Sequence, residues 1–381
     1  LEYALELDGV SLDAIDITAR AEAAVDRIDP AIRSAIDRAA NNITAFHERQ
    51  VPEDWRAASD GRELGRRFRP IDRAGVYVPG GTAAYPSSAL MGVIPAVVAG
   101  VDHVAVATPP AEDPDPVTLA AIALAGADRV YAAGGAQAIA ALAYGTNTIE
   151  PVDKVVGPGN RWVTAAKAAV RGDVGIDFLA GPSEILVLAD ETAEPAFAAA
   201  DMIAQAEHDP AASVVTVTDD PDIAEGVVAE VHRQVEDRQR ADIIEAAIEN
   251  EASGVLLAAS IEAAVDFAEE YAAEHLSIQA RDDETLLDRI DSAGGVFLGP
   301  FTPVAAGDYA SGTNHVLPTG GSAKVTGGLS VDTFLRASTV QRLDSGGLGE
   351  LRDTITTLAT AEGLEAHAAS VEARFADRRQ D

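Results

Sequence analysis

The sequence predicts an α/β protein with two mostly parallel, doubly wound sheets and a helical C-terminal tail. Three observations support this class. Short β-rich segments alternate with helical segments over residues 76–298, and glycine clusters stand where several strands meet the following helix. The chain also has 381 residues and 47% hydrophobic content, enough to bury more than one core. We therefore expect at least two α/β domains.

The first series of elements runs from residue 76 to residue 170. Apolar, β-branched segments alternate with segments that carry apolar residues at helical spacing. The predicted strands are 76–79, 103–108, 129–133 and 153–156, and the predicted helices are 87–99, 116–125, 136–144 and 160–170. Because strands joined through helices run parallel, this order favours a parallel sheet.

The second series begins at residue 184 and follows the same alternation. Its predicted strands are 184–189, 213–218, 254–258, 276–280 and 295–298, and its predicted helices are 194–207, 222–238, 261–272 and 284–292. The segments before Arg73 and after Leu329 are predicted to be mostly helical, from the apolar spacing in residues 12–50 and 348–376.

These patterns divide the chain into three predicted parts. Residues 1–76 and 184–328 form a first, discontinuous α/β domain, and residues 77–183 form a second. Residues 329–381 form the helical tail. Both α/β domains are expected to be Rossmann-like but incomplete, because no Gly-x-Gly-x-x-Gly follows a strand.

Composition excludes several classes of function. The formal net charge is −34, and the acidic residues are dispersed rather than gathered in a tail. A dispersed acidic surface is typical of adaptation to high salt, where the repulsion between carboxylates is screened. Nucleic-acid binding is disfavoured because it needs clustered cations. The absence of cysteine excludes every mechanism with a thiolate nucleophile.

Membrane insertion and export are also disfavoured. The apolar runs 87–100 and 117–126 are too short or too interrupted to span a bilayer. The first residues have neither a basic region nor an apolar signal core. We expect a cytoplasmic protein.

Three glycine corners are candidates for ligand binding. They are residues 79–82, Gly134-Gly135 before Gln137, and Gly157-Pro158-Gly159 before Asn160. Free N–H groups at a helix N-terminus accept phosphate or carboxylate, and ligands of parallel sheets collect at the carboxyl ends of strands. The alternative is that the glycines only make tight turns. Three corners at one end of one sheet favour a ligand.

A mixed nitrogen and oxygen ligand set is spread along the chain. Gln205 and His208 are three residues apart near a helix end and share a face, Asp308 lies in a glycine-bounded loop, and His367 lies in the C-terminal helical segment. Zinc accepts such donors, although glutamine is an unusual ligand. Taken singly, a helical histidine beside an acid is more often a surface or capping residue.

Glu274 and His275 are adjacent just before a predicted strand. Adjacent side chains usually diverge, which would leave one solvated acid and one packed imidazole. The functional interpretation is a pair of bases with different pKa values that takes protons from an alcohol and from water.

Several fragments of the sequence resemble histidinol dehydrogenases. The similarity extends from about residue 40 to residue 370 and is most specific in the string 307–319. The fragments are Val-Tyr-Val-Pro-Gly-Gly (76–81), Gly-Gly-Ala-Gln-Ala-Ile-Ala-Ala-Leu (134–142), Val-Gly-Pro-Gly-Asn (156–160), Ala-Gly-Pro-Ser-Glu (180–184), Glu-His-Leu (274–276) and Gly-Asp-Tyr-Ala-Ser-Gly-Thr-Asn-His-Val-Leu-Pro-Thr (307–319). The resemblance implies oxidation of L-histidinol through L-histidinaldehyde to L-histidine, the last step of histidine biosynthesis, with reduction of two NAD⁺.

The resemblance also implies roles for individual residues. His275 would be the base, and Glu274 would activate water for the second oxidation. One Zn²⁺ per subunit would be held by Gln205, His208, Asp308 and His367, all of which, with His275, also lie at the substrate. The further implied substrate contacts are Ser183, His315 and Glu362, and the implied NAD⁺ contacts are Tyr77, Gln137 and Asn160. The family is homodimeric, and its C-terminal segment would complete the partner's site.

Other functions stay open at this point. A zinc hydrolase could use Glu274 as a base on metal-bound water, although it would not need the glycine corners. A catalytically silent metal- or nucleotide-binding protein is a third class. A related dehydrogenase of another amino alcohol or hydroxy acid is the stronger rival.

Overall fold

The computed structural model describes residues 2–80 and 84–376. It divides into two compact units, Leu1–Val51 with Pro70–Phe334, and Pro52–Arg69 with Leu335–Asp381. The strands are β1 Trp55–Ser59, β2 Arg62–Pro70, β3 Arg73–Tyr77, β4 His103–Thr108, β5 Arg129–Ala132, β6 Lys154–Val156, β7 Gly175–Ile176, β8 Glu184–Ala189, β9 Ser213–Thr218, β10 Gly254–Leu257, β11 His275–Gln279, β12 Gly295–Leu298 and β13 Leu335–Leu343.

The helices lie between these strands and at both ends of the chain. They are α1 Glu2–Asp8, α2 Thr18–Ala24, α3 Pro30–Glu48, α4 Pro86–Ala99, α5 Pro116–Ala125, α6 Gly135–Tyr144, α7 Arg161–Val170, α8 Pro195–Ala206, α9 Pro221–Val235, α10 Ala241–Ile248, α11 Ile261–Tyr271, α12 Asp283–Leu287, α13 Val304–Tyr309, α14 Ser345–Ala361 and α15 Glu365–Glu372. Short 3₁₀ turns cover Ser322–Lys324 and Val331–Phe334.

The first sheet of the larger unit has the strand order β5-β4-β3-β6-β7, with all neighbours parallel. β3 is central, and Val76 pairs with Val106 on one side and Val156 on the other. Gly92 of α4 lies against Val76, because a Cβ there would stand 2.4 Å from its Cγ1. The strand order reverses between β3 and β6, and such a reversal leaves a crevice outside the carboxyl ends of these two strands.

The second sheet has the order β10-β9-β8-β11-β12, again entirely parallel. Alternate residues of β8 enter different cores. Ile185 and Val187 belong to a cluster with residues of α8, α9 and α10, whereas Leu186 and Leu188 pack with residues of α11 and α12. Burial on both faces explains why β8 is apolar throughout. The predicted fold class is confirmed, since two doubly wound parallel sheets are present.

The smaller unit contains a sheet of order β1-β2-β13, in which β1 and β2 are antiparallel, and the helices α14 and α15. Its strands show that the prediction of mostly helical segments before Arg73 and after Leu329 was wrong in part. Every residue of β1 is exposed, and most residues of β2 are charged. Neither strand therefore shows the alternation of apolar and polar residues by which half-buried strands are recognised.

Candidate active site

The candidate catalytic residues lie at the amino ends of strands in the second sheet. Glu274 immediately precedes β11, and His275 is its first residue. β11 pairs with β8, and His275 is opposite Ile185. Glu184, the first residue of β8, therefore lies beside the pair. The site is at the opposite strand end from the one favoured in parallel sheets.

The His275 imidazole is held in one orientation by the backbone of β8. It is buried, and its Nδ1 lies 3.0 Å from the carbonyl oxygen of Glu184. Because a carbonyl only accepts, Nδ1 carries the proton in the neutral ring. Nε2 is buried without a hydrogen-bond partner among the described residues and lies 3.6 Å from Oδ1 of Asp308. Its lone pair is therefore free to take a proton.

Charges around His275 oppose the effect of its burial. Burial disfavours the imidazolium, but the carboxylates of Asp308 and Glu274 and the Glu184 carbonyl favour it more strongly. The balance raises the pKa of His275 above its ordinary value.

The Glu274 carboxyl group is buried as well. Oε2 accepts a hydrogen bond from the backbone N–H of Glu184 at 2.8 Å and lies 3.6 Å from Nδ1 of His275. Burial raises the pKa of Glu274 to about 7, against the opposing effects of His275 and the Glu184 N–H. The alternative of a solvated acid beside a packed imidazole is therefore wrong. Both groups are buried, and the pKa of each is raised above its ordinary value.

Three of the four predicted metal ligands lie in the larger unit. Gln205 is buried at the end of α8, and His208 follows that helix in a turn that is open to solvent. Asp308 lies on α13, not in the predicted loop, and α13 packs against α8. Desolvation lowers the pKa of His208, and the nearby carboxylate of Asp308 opposes that shift.

The predicted metal ligands are of a suitable chemical type, but the larger unit does not supply a complete set of them. Gln205 offers an amide oxygen, His208 an imidazole nitrogen and Asp308 a carboxylate, which are donors that a divalent metal accepts. Within residues 2–80 and 84–376, however, no three His, Cys, Asp or Glu side chains are grouped closely enough to hold an ion. The fourth predicted ligand, His367, is exposed on α15 of the smaller unit.

The predicted substrate contacts are also divided between the two units, with Ser183 and His315 in the larger unit and Glu362 in the smaller one. Nδ1 of His315 lies 2.9 Å from the backbone oxygen of Asp308, so the two residues are in contact. Burial lowers the pKa of His315. Ser183 immediately precedes β8 and is half-buried. Glu362 is exposed at the end of α14 in the smaller unit.

The predicted cofactor contacts surround the crevice of the first sheet. The Tyr77 hydroxyl accepts a hydrogen bond from the N–H of Gly135 at 3.1 Å, two residues before half-buried Gln137. The Asn160 side chain caps α7 by accepting from the N–H groups of Trp162 and Val163. Its amide NH₂ stays available. Of the corner 79–82, residues 81 and 82 lie outside the described residues.

The similarity to known proteins agrees with this arrangement. The sequence profile of the histidinol dehydrogenase family matches residues 1–375. Histidinol dehydrogenase of Haloarcula marismortui is 71% identical over 373 residues, which cover 98% of this chain and 88% of the relative. That of Methanothermobacter thermautotrophicus is 49% identical and covers 97% and 88%. The chain belongs to the histidinol dehydrogenase family.

Solved structures extend the comparison. A crystal structure of histidinol dehydrogenase from Elizabethkingia anophelis superposes with a TM-score of 0.95 at 40% identity, covering 98% of this chain and 87% of that one. A propionaldehyde dehydrogenase from Clostridium phytofermentans, at 16% identity and a TM-score of 0.55, shares the fold alone. Membership of the histidinol dehydrogenase family makes the protein a dehydrogenase, and its halophilic archaeal relatives suggest that the acidic surface is a salt adaptation. No helix among the described residues could cross a membrane.

Sequence reasoning missed residues that contact the candidate catalytic pair. Glu184 contacts Glu274 and His275 through its backbone, and its side chain accepts from the N–H of Gly320 at 2.9 Å. It stands in the quoted fragment 180–184, which was the available signal. His47 of α3 is fully buried, and its Nε2 lies 3.4 Å from the amide nitrogen of Asn314. His232 of α9 is exposed.

Proposed function

We propose that the protein oxidises L-histidinol through L-histidinaldehyde to L-histidine with two NAD⁺ and one Zn²⁺ per subunit. The observation that carries the proposal is the buried His275 imidazole, whose Nε2 has no hydrogen-bond partner among the described residues and lies 3.6 Å from Asp308, while Nδ1 lies 3.6 Å from Glu274. A buried base with its protonated nitrogen already bonded to a carbonyl suits abstraction of an alcohol proton.

In the first oxidation, His275 would take the hydroxyl proton of the alcohol on Nε2, and a bound NAD⁺ would supply the acceptor for the hydride that leaves the carbon. The Glu184 carbonyl keeps the proton on Nδ1, so Nε2 stays the acceptor. The nearby carboxylates then stabilise the imidazolium that forms, which is the physical meaning of its raised pKa.

In the second oxidation, Glu274 acts as the general base on water. Hydride can leave only from the hydrated aldehyde, and the chain has no cysteine to form a thiohemiacetal. A carboxyl group with a pKa of about 7 is matched to this task near neutral pH. Its Oε2 is oriented by the Glu184 N–H.

The proposed metal ligands are Gln205, His208, Asp308 and His367. A bound Zn²⁺ would supply Lewis acidity and would hold an imidazole and an amine nitrogen of the substrate. The donors of the larger unit are an amide oxygen, an imidazole nitrogen and a carboxylate, which suit ligation. The shortage of acid and imidazole donors there is consistent with His367 coming from a partner subunit. We propose a homodimer in which the tail supplies His367 and Glu362 in trans.

The remaining assignments complete the two binding regions. Ser183 and His315 would contact the substrate beside His275 and Asp308. Tyr77, Gln137 and Asn160 would contact NAD⁺ at the crevice of the first sheet, beside the N-termini of α6 and α7.

The deciding experiment measures NADH formed from L-histidinol in molar salt, with and without a chelator. We expect two NADH for each histidine produced and loss of turnover when the metal is removed. A zinc hydrolase would form no NADH, and a silent binding protein would show no turnover. Faster reaction with another amino alcohol would assign the chain to a related substrate.

A further inference from the structure

A buried ion pair lies directly behind the third glycine corner, Gly157-Pro158-Gly159. Lys167 of α7 pairs with Asp177, which follows β7, and the two side chains are only 4% and 1% exposed. Lys167 is one of just three lysines in the chain. Neither residue belongs to the catalytic, metal or substrate sets described above.

Both charged groups bond to the backbone of a single glycine. The N–H of Gly157 donates to Oδ2 of Asp177 at 2.8 Å, and Nζ of Lys167 donates to the carbonyl oxygen of Gly157 at 3.0 Å. The ion pair therefore satisfies the donor and the acceptor of this residue together. Because charge-assisted hydrogen bonds are stronger than neutral ones, Gly157 is held more firmly than an ordinary loop residue.

Gly157 in turn is packed against the strand that carries a proposed cofactor contact. Its φ is +109°, and a Cβ would stand 2.2 Å from the carbonyl oxygen of Tyr77. Only glycine fits this conformation and this approach. Three residues later Asn160 caps α7. A displacement of Gly157 would therefore move the corner relative to both Tyr77 and Asn160.

We propose that Lys167 and Asp177 are a positioning pair for the cofactor corner 157–160. The inference rests on the proposed function, since it takes this corner to bind NAD⁺. An isolated buried ion pair is weak evidence for stability, because desolvation offsets the attraction between the charges. Here the pair also holds the backbone N–H and carbonyl groups of Gly157, between β6 and α7.

The test separates stability from positioning through a double variant. Lys167→Met combined with Asp177→Leu removes both charges and fills the space with apolar atoms, a change that is often neutral for stability. Each single change leaves one buried charge unpaired and should lower the unfolding temperature markedly. The double variant should recover much of that loss. Lys324→Met, at an exposed lysine, is the matched control.

Three quantities are measured in molar salt on the double variant. NAD⁺ affinity, by calorimetry, should weaken about tenfold, since misplaced binding groups lose much of their contribution. The KM for histidinol should change less than about twofold on the same reasoning. Amide hydrogen exchange of the peptide around residues 155–163 should become faster, while the control variant leaves all three unchanged.

Two results would overturn the proposal. A folded double variant with wild-type NAD⁺ affinity would make the pair purely structural, even if exchange at the corner rose. Equal losses of histidinol and NAD⁺ affinity would show a general defect of the fold. If the wild-type protein itself failed to bind NAD⁺, the proposed function would fail first, and that outcome is distinguishable because it needs no variant.

Discussion

Nδ1 of His275 lies 3.6 Å from Oε2 of Glu274, although the two residues are adjacent in the chain. Neighbouring residues inside a strand point to opposite faces. Glu274 stands just before β11, so its side chain turns back to the backbone N–H of Glu184 and meets the imidazole. The two proposed bases are thus organised by one residue of the adjacent strand, and the following predictions test their separate roles.

Replacing Glu274 with glutamine should separate the two oxidations. Glutamine keeps an oxygen for the Glu184 N–H but cannot take a proton from water. We expect aldehyde oxidation to fall about 10²–10⁴-fold, the usual contribution of a general base, with a much smaller effect on alcohol oxidation. Rapid-mixing measurements of NADH from histidinol and from histidinaldehyde give the two rates. Glu270→Gln, an exposed change on α11, is the control. Equal losses in both steps would count against the assignment.

The pH dependence of aldehyde oxidation should report Glu274. With its pKa raised to about 7, the carboxyl group is protonated, and inactive as a base, below that pH. Burial is the largest cause of this shift, His275 and the Glu184 N–H oppose it, and the carboxylates of Glu184 and Asp308 add to it. The rate should therefore fall about tenfold per pH unit on the acid side. The Glu274→Gln variant should lose this limb. A profile that keeps the same acid limb in the variant would assign the titration to another group.

His208→Ala and Asp308→Asn should each weaken zinc binding by more than about tenfold, because each removes a proposed ligand. Metal analysis of purified protein after dialysis against a dilute chelator measures the loss. Circular dichroism checks that the fold is retained. His232→Ala, at an exposed histidine of α9, should leave the metal content unchanged. Full zinc occupancy in both ligand variants would place the metal elsewhere.

Mixed dimers should reveal whether His367 acts across the subunit boundary. A dimer of one His367→Ala subunit and one Glu274→Gln subunit would contain one complete site if His367 works in trans, and none if it works in cis. After random reassociation of equal amounts, about one quarter of all sites should oxidise histidinaldehyde under the trans arrangement. Activity no greater than that of the separate variants would refute sharing between subunits.

Asp201→Asn should stabilise the protein in a pH-dependent way. Asp201 is buried, accepts the N–H of Val304 and lies 3.3 Å from Nε2 of Gln279. Burial raises its pKa from 3.8 to about 6. The folded state therefore holds this proton more tightly than the unfolded state, and stability is lost as pH rises from about 4 to about 6.

The asparagine variant lacks this titration, so its advantage should grow from near zero at pH 4 to on the order of 2–3 kcal/mol at pH 7. Denaturant unfolding at the two pH values in molar salt measures the difference. Asp26→Asn, at an exposed turn position, should show no such trend. A constant difference at both pH values would show that the carboxyl group is ionised throughout.

Much of the fold could be predicted because its strands and helices differ in period. Helix 116–125 was predicted with both ends correct, since Asp115 caps it, Pro116 opens it and Gly126 closes it. Strand β3 begins at Arg73 rather than 76, because its charged first residue interrupts the apolar pattern. The strands of the smaller unit were missed because their sides are exposed or charged.

The amino-acid order by itself determined the alternation of elements, the glycine corners and the motifs that identify the family, because these depend on local backbone preference and on short residue strings. The tertiary structure alone decided that Glu184 orients both proposed bases, that His47 is buried, and that Lys167 meets Asp177 behind Gly157. Those relationships join residues on different strands and helices. Their energies depend on distance and desolvation in the folded chain, which no local pattern encodes.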